Sequence, residues 1–238
     1  MTAAPPGRLA GRLALVTGAS RGLGAATALA LAREGAHCVL VARTVGGLEE
    51  VDDRIKATGG SATLVPLDVT DGPGLDRLGA ALYDRFGRLD VLVGNAAILG
   101  VLSPIGHIDP ELFEQVMAVN VTANWRLIRS LDPLLRRSDA GRAIFVTSDI
   151  AARAEPYWSA YAASKAALEV LVRSYAAEVA HTAVRANLYD PGPMRTAIRA
   201  QAFPGEPAER QVPPDARAEG LVRLALPSST LNGQHVTA

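Results

Sequence analysis

Seven short apolar runs recur along the chain, and most are separated by segments long enough to be helices. The runs are Leu13–Thr17, Cys38–Ala42, Ala62–Leu67, Val91–Val93, Ala143–Thr147, Val184–Leu188 and His235–Thr237. They are rich in Val, Leu and Ile without a polar alternation, the pattern of strands buried on both faces. Helical segments are expected near Leu23–Glu34, Val45–Thr58, Pro73–Phe86, Pro110–Arg136 and Ser159–Ala180. Gly35, Gly59, Gly60 and Gly87 supply stops. Repeated strand–helix alternation requires crossovers, and right-handed crossovers give a doubly wound α/β fold. The expectation is a Rossmann-type parallel sheet of about seven strands with helices on both faces.

The length of 238 residues, 49% of them hydrophobic, suits one large core and is short for two. No linker, repeat or low-complexity tract divides the chain, so residues 1–238 read as a single domain. Basic and acidic residues balance at 24 each, which removes the charge footprint of a nucleic-acid binder. No apolar stretch is long enough for a membrane span, and Met1–Arg12 has no apolar leader core. A cytoplasmic protein is the expectation. Cys38, the only cysteine, lies in an apolar run and reads as a buried, inert thiol. His37, His107, His181 and His235 lack metal-ligand spacing, so no metal is expected.

The first strand runs into Thr17-Gly18-Ala19-Ser20-Arg21-Gly22-Leu23-Gly24 and then a helix. Glycines let backbone approach a pyrophosphate, and a helix N-terminus favours an anion. The spacing differs from the usual G-x-G-x-x-G, and a plain structural turn would look similar. After the second strand comes Ala42-Arg43, where an acid would otherwise accept from a ribose 2′-hydroxyl. Arg43 and Arg21 instead suit a 2′-phosphate, so NADP(H) is expected over NAD(H), although two solvated surface arginines would read alike. Asp68-Val69 after the third strand and Asn95-Ala96-Ala97 after the fourth complete one sheet edge.

Tyr161 and Lys165 stand four apart in an alanine-rich helix and share a face. Lys165 is one of only two lysines, with Lys56. A phenol needs help to act as an acid–base at neutral pH, and a neighbouring ammonium lowers its pKa. Ser148 follows the fifth strand and can hold a carbonyl oxygen beside that phenol. Asn120, in an apolar helical setting, is either a structural bridge or the holder of a relay water.

These residues, taken in order with Pro191-Gly192-Pro193-Met194-Arg195-Thr196, resemble the short-chain dehydrogenases/reductases in their compact single-domain form. The resemblance covers essentially the whole chain. It implies a catalytic tetrad of Asn120, Ser148, Tyr161 and Lys165. It also implies a nicotinamide site in which Lys165 holds the ribose hydroxyls and Pro191, Gly192, Met194 and Thr196 lie against the carboxamide. Subunit pairing into a homodimer or homotetramer through the two long helical segments is implied as well. Ser138–Gly141 and Thr196–Pro204 are similar to an uncharacterised bacterial subgroup. Three features depart from the family pattern: Gly94 replaces the first asparagine of the fourth-strand motif, Asp190 replaces an asparagine, and the chain stops at Ala238.

The implied activity is hydride transfer between NADP(H) and a small carbonyl or secondary alcohol. The competing reading is an NADP(H)-sensing binding protein without turnover. Residues 193–210, interrupted by Pro193, Pro204, Gly205 and Pro207, are expected to form a mobile lid. Within it Met194–Phe203 reads as a short helix, and Arg195 and Arg199 face either solvent or an acidic substrate group.

Overall fold

The structure is a computed structural model that describes residues 7–238. Residues 1–6, half of the segment read as lacking a leader, lie outside the described residues. Among the described residues seven strands form one sheet: β1 Leu13–Thr17, β2 His37–Ala42, β3 Ser61–Pro66, β4 Val91–Gly94, β5 Arg142–Val146, β6 Arg185–Asp190 and β7 His235–Thr237. Their spatial order is β3-β2-β1-β4-β5-β6-β7, and every adjacent pair is parallel. The chain reverses direction across the sheet between β1 and β4, the crevice where open α/β sheets bind ligands.

Helices cover both faces of the sheet. Helices α1 (Gly22–Arg33), α2 (Val45–Ala57) and α8 (Asp215–Ala225) pack on one side, against Ala14 and Val16 of β1 and Cys38 and Leu40 of β2. Helices α3 (Gly72–Phe86), α5 (Ala123–Leu135) and α6 (Ser159–Glu178) pack on the other, against Leu13, Leu15, Val39 and Val41. Alternate residues of one strand thus serve opposite cores, which is why these strands are apolar throughout. Cys38 donates to the Ala28 carbonyl at 3.4 Å, and burial pushes its thiol up to about 12, so it is inert.

Three differences from the sequence expectation matter. Strand ends move by one or two residues, and β6 runs on to Asp190 because it pairs with Thr237. The expected helix 110–136 is two helices, α4 (Pro110–Met117) and α5, joined by one π turn at Ala118–Thr122. π turns interrupt the regular ladder and are frequent at functional sites; here the Asn124 side chain donates to the Asn120 carbonyl at 2.8 Å. Helix α8 was not anticipated. It begins directly after Pro213-Pro214, and its alanines and arginines give a weak pattern, yet Leu221, Val222 and Leu224 are buried. Among the described residues no helix is long and apolar enough to cross a membrane.

Candidate active site

All parallel strands end on the same edge, so the segments after β1, β2, β3, β4, β5 and β6 converge. They enclose a cleft of about 980 Å³. One end is lined by Gly18, Ser20, Arg21, Gly22 and Leu23, with Arg43, Asp68 and Val69 beside them. Asn95 and Ala96 form the floor, and Pro191, Gly192, Met194 and Thr196 the far wall. Ser148, Tyr161 and Lys165 line the same cleft.

Two expected site residues do not line the cleft. A Cβ on Gly24 would meet the Gly18 carbonyl at 2.2 Å, so Gly24 acts by letting α1 pack against the turn. Asn120 is fully buried and serves as a bridge. Its Nδ2 donates to the Ile98 carbonyl and to Ser164 Oγ, both at 2.9 Å, and its Oδ1 accepts from Ile98 N at 2.9 Å. Ser164 in turn donates to the Tyr161 carbonyl at 2.7 Å. Asn120 therefore ties the loop after β4 to the first turn of α6.

The glycine end fits a dinucleotide. Gly18 has φ +64, and a side chain there would press on Asn95 Nδ2 at 2.9 Å. The N-cap residue of α1 is Arg21, which makes no side-chain cap, so the first amides of the helix are left for an anion. Thr17 holds this geometry. Its hydroxyl accepts from Asn95 N at 2.9 Å and Ala96 N at 3.0 Å, while Asn95 Nδ2 donates to the Thr17 carbonyl at 2.8 Å. Arg43 lies 3.7 Å from Asp68, whose other oxygen accepts twice from Thr70. Burial alone would raise the Asp68 carboxyl, but the Thr70 bonds and the Arg43 charge outweigh it and hold it low.

At the other end the helical spacing brings Lys165 Nζ to 5.6 Å from the Tyr161 ring centre, and Nζ donates to the Val146 carbonyl at 2.8 Å. Both side chains are buried. Burial pulls the Lys165 ammonium down to about 8, against Asp190 and Glu169, which favour the charge. The Tyr161 phenol moves opposite to the sequence expectation. Burial raises it, and Asp190 and Asp149 raise it further, so the hydroxyl is protonated at neutral pH. Ser148 Oγ makes only long bonds, to Asp149 at 3.3 Å and from Ile150 N at 3.5 Å, and is easily redirected to a substrate oxygen.

Sequence reasoning passed over a group behind Lys165. Glu169 is buried one turn further along α6 and accepts from Thr147 Oγ1 at 2.9 Å and from Arg173 at 2.8 Å. His235 on β7 lies 3.6 Å from Glu169 and 4.0 Å from Asp190. The Lys165–Glu169 spacing was legible; the arrival of His235 from β7 was not. Asp190 Oδ1 also accepts from Gly192 N at 2.8 Å and so fixes the turn toward the far wall.

Of residues 193–210, Pro193 to Phe203 line the cleft. Thr196 caps the short helix α7 (Ala197–Ala202) by accepting from Arg199 N at 3.3 Å. Gln201 Nε2 reaches across to the Gly100 carbonyl at 2.7 Å. Arg199 pairs with Glu206 at 2.5 and 2.8 Å and lies 3.9 Å over the Phe203 ring. Among the described residues no cluster of possible metal ligands occurs.

The sequence model described as short chain dehydrogenase matches residues 12–207. The chain is 37% identical over 170 residues to the uncharacterised oxidoreductase YciK of Escherichia coli, covering 70% of this chain and 68% of that protein. An uncharacterised NAD-dependent oxidoreductase of Mycobacterium tuberculosis is 35% identical over 187 residues, 73% of this chain and 68% of that one. A Shigella flexneri short chain dehydrogenase structure complexed with NADP superposes with a TM-score of 0.93 at 33% identity, covering 98% of each chain.

Proposed function

The chain belongs to the short-chain dehydrogenase family, and on that premise we propose that it transfers a hydride between NADP(H) and a carbonyl or secondary-alcohol substrate. The observation that carries this reading is the buried Tyr161–Lys165 pair, which with Ser148 lines one cleft whose other end is a glycine-lined helix N-terminus. When bound, the nicotinamide supplies or accepts the hydride. Tyr161, held protonated by burial, donates its proton to the carbonyl oxygen in the reducing direction. Ser148 donates a hydrogen bond to that same oxygen as charge builds on it. Lys165 keeps a positive charge against the phenol and holds the nicotinamide ribose. Asn120 positions α6 through Ser164 rather than touching substrate.

NADP(H) over NAD(H) is supported by Arg21 and Arg43 lining the adenosine end, with Ala42 where an acid would favour a free 2′-hydroxyl. The Shigella relative binds NADP and the mycobacterial one is named NAD-dependent, so the arginines carry this preference. Residues 193–210 act as a lid that excludes water during the transfer. The decisive test is Tyr161→Phe, assayed by NADPH oxidation against a carbonyl panel. Turnover should fall at least ~100-fold with cofactor binding retained, the lower scale for a lost general acid. Turnover close to that of the unmodified protein would overturn the reading.

A further inference from the structure

The substrate end of the cleft differs in chemistry from the cofactor end. Tyr161 belongs to a small apolar cluster with Leu99 and Ile150, extended by Trp158, Ile198 and Ala202. Trp158 stands edge-on to Tyr161 with ring centres 6.2 Å apart, and Phe203 of the lid lies 5.9 Å from Trp158. An aromatic wall therefore runs from the proton donor to the mouth. Phe203 is 40% exposed, so its ring has apolar surface left to cover.

Apart from the buried Lys165, the arginines beside Tyr161 and the lid are paired within the chain. Arg153 pairs with Asp149 at 2.6 Å and with Glu155. Arg199 pairs twice with Glu206 and stacks on Phe203. Gln201 is spent on the Gly100 carbonyl. Arg195 lines the cleft and also, with Arg21, Arg54 and Glu50, a hollow behind the glycine turn, which puts it with the cofactor-end residues. A substrate carboxylate or phosphate entering beside Tyr161 would lose its water and find only Lys165, a buried ammonium that donates to the Val146 carbonyl and is assigned to the cofactor ribose, which is costly. A polyol would meet carbon surface where it needs partners.

Resting on the hydride-transfer reading above, we infer that the substrate is an uncharged carbonyl compound, or its alcohol, bearing an aromatic or similarly flat apolar ring close to the reacting carbon. The ring packs on Trp158 and Phe203 while the carbonyl oxygen meets Tyr161 and Ser148.

A matched pair of substrates tests this: 4-methylacetophenone and 4-acetylbenzoate, of similar size and different charge, with a ketose as the polar comparison. With NADPH, the neutral ketone should be reduced with a kcat/KM at least ~10-fold above the others, since only it enters without an unpaired desolvated group. Glu206→Gln frees Arg199 and should narrow the ratio by raising efficiency toward the benzoate. Binding is read separately in Trp125→Phe, where Trp158 is the remaining tryptophan. In the presence of NADPH, 4-methylacetophenone should quench its fluorescence saturably. Saturable quenching with no turnover of any carbonyl would uphold the substrate class and overturn hydride transfer. Better reduction of the benzoate or the ketose would overturn the class and leave hydride transfer standing. Neither quenching nor turnover of the neutral ketone overturns the class.

Discussion

Replacing Lys165 by methionine should stabilise the fold while abolishing function. The ammonium is buried and donates one hydrogen bond, to the Val146 carbonyl. Its pKa falls from 10.5 to about 8, which means the folded state holds the charged form poorly. At 1.36 kcal/mol per pH unit the penalty is about 3 kcal/mol when both folded and unfolded states are protonated. Methionine removes the charge at similar volume but leaves the Val146 carbonyl without this donor, at a cost of about 1 kcal/mol. The cofactor-free Lys165→Met protein is therefore expected to be more stable at neutral pH by about 2 kcal/mol. The sign with pH follows from the direction of the shift. Below about 8 both states carry the proton and the penalty is complete. Between about 8 and 10.5 the folded state releases it while the unfolded state keeps it, so the unmodified protein gains stability as pH rises and the gap closes. Urea unfolding at a series of pH values from 7 to 10 measures this directly. Asp190→Asn removes a carboxylate that favours the ammonium, so closure should begin at lower pH in that background. A gap that stays constant across the series, or an unmodified protein that is the more stable at pH 7, would refute the reasoning.

Arg43→Ala should lower kcat/KM with NADPH by ~10–100-fold, the scale of one lost charge-assisted phosphate contact. Adding Ala42→Asp should reverse the preference; equal efficiency of the unmodified protein with NADH and NADPH would contradict the assignment. Residues 193–210 should be cleaved more slowly by protease once NADPH and substrate are bound, and Phe203→Ala should raise KM. Equal cleavage in both states together with unchanged kinetics would remove the lid. Phe113 on α4, Trp125 on α5 and Val170 on α6 are 39%, 45% and 62% exposed, an apolar set that suits pairing with a second copy. Light scattering at micromolar concentration should give a dimer or tetramer mass, and a monomer mass would contradict it.

The sheet was legible because its strands are buried on both sides: Leu13–Thr17 needs no partner information to be read as central, and its ends were placed to the residue. Helix α8 was not, because its burial comes from packing on α1 and the sheet rather than from a stripe of its own. The π turn at Ala118–Thr122 was equally hidden, since Val119-Asn120-Val121 carries no breaker residue. Gly18 and Gly22 could be read because positive φ leaves a mark on residue type. Thr17 could not, because its role is two accepted hydrogen bonds from a loop some 78 residues away in sequence.

Burial explains why the reacting end was harder to read than the phosphate end. The spacing of Tyr161 and Lys165 argues for a lowered phenol pKa, because it puts a charge near a ring and says nothing about solvent. In the fold the same desolvation acts on both groups with opposite signs: it raises the acid that becomes an anion and lowers the base that is a cation. The result favours a neutral phenol, which is the form a carbonyl oxygen needs. It also leaves Lys165 close to losing its proton near neutral pH. Two carboxylates, Asp190 from β6 and Glu169 from α6, resist that loss. Asp190, at the position where the family pattern has an uncharged asparagine, therefore bears on protonation as well as on the turn it caps through Gly192. A neutral amide there could still accept from Gly192 N, but it would not favour the ammonium, so the carboxylate and not the turn geometry is what distinguishes this site.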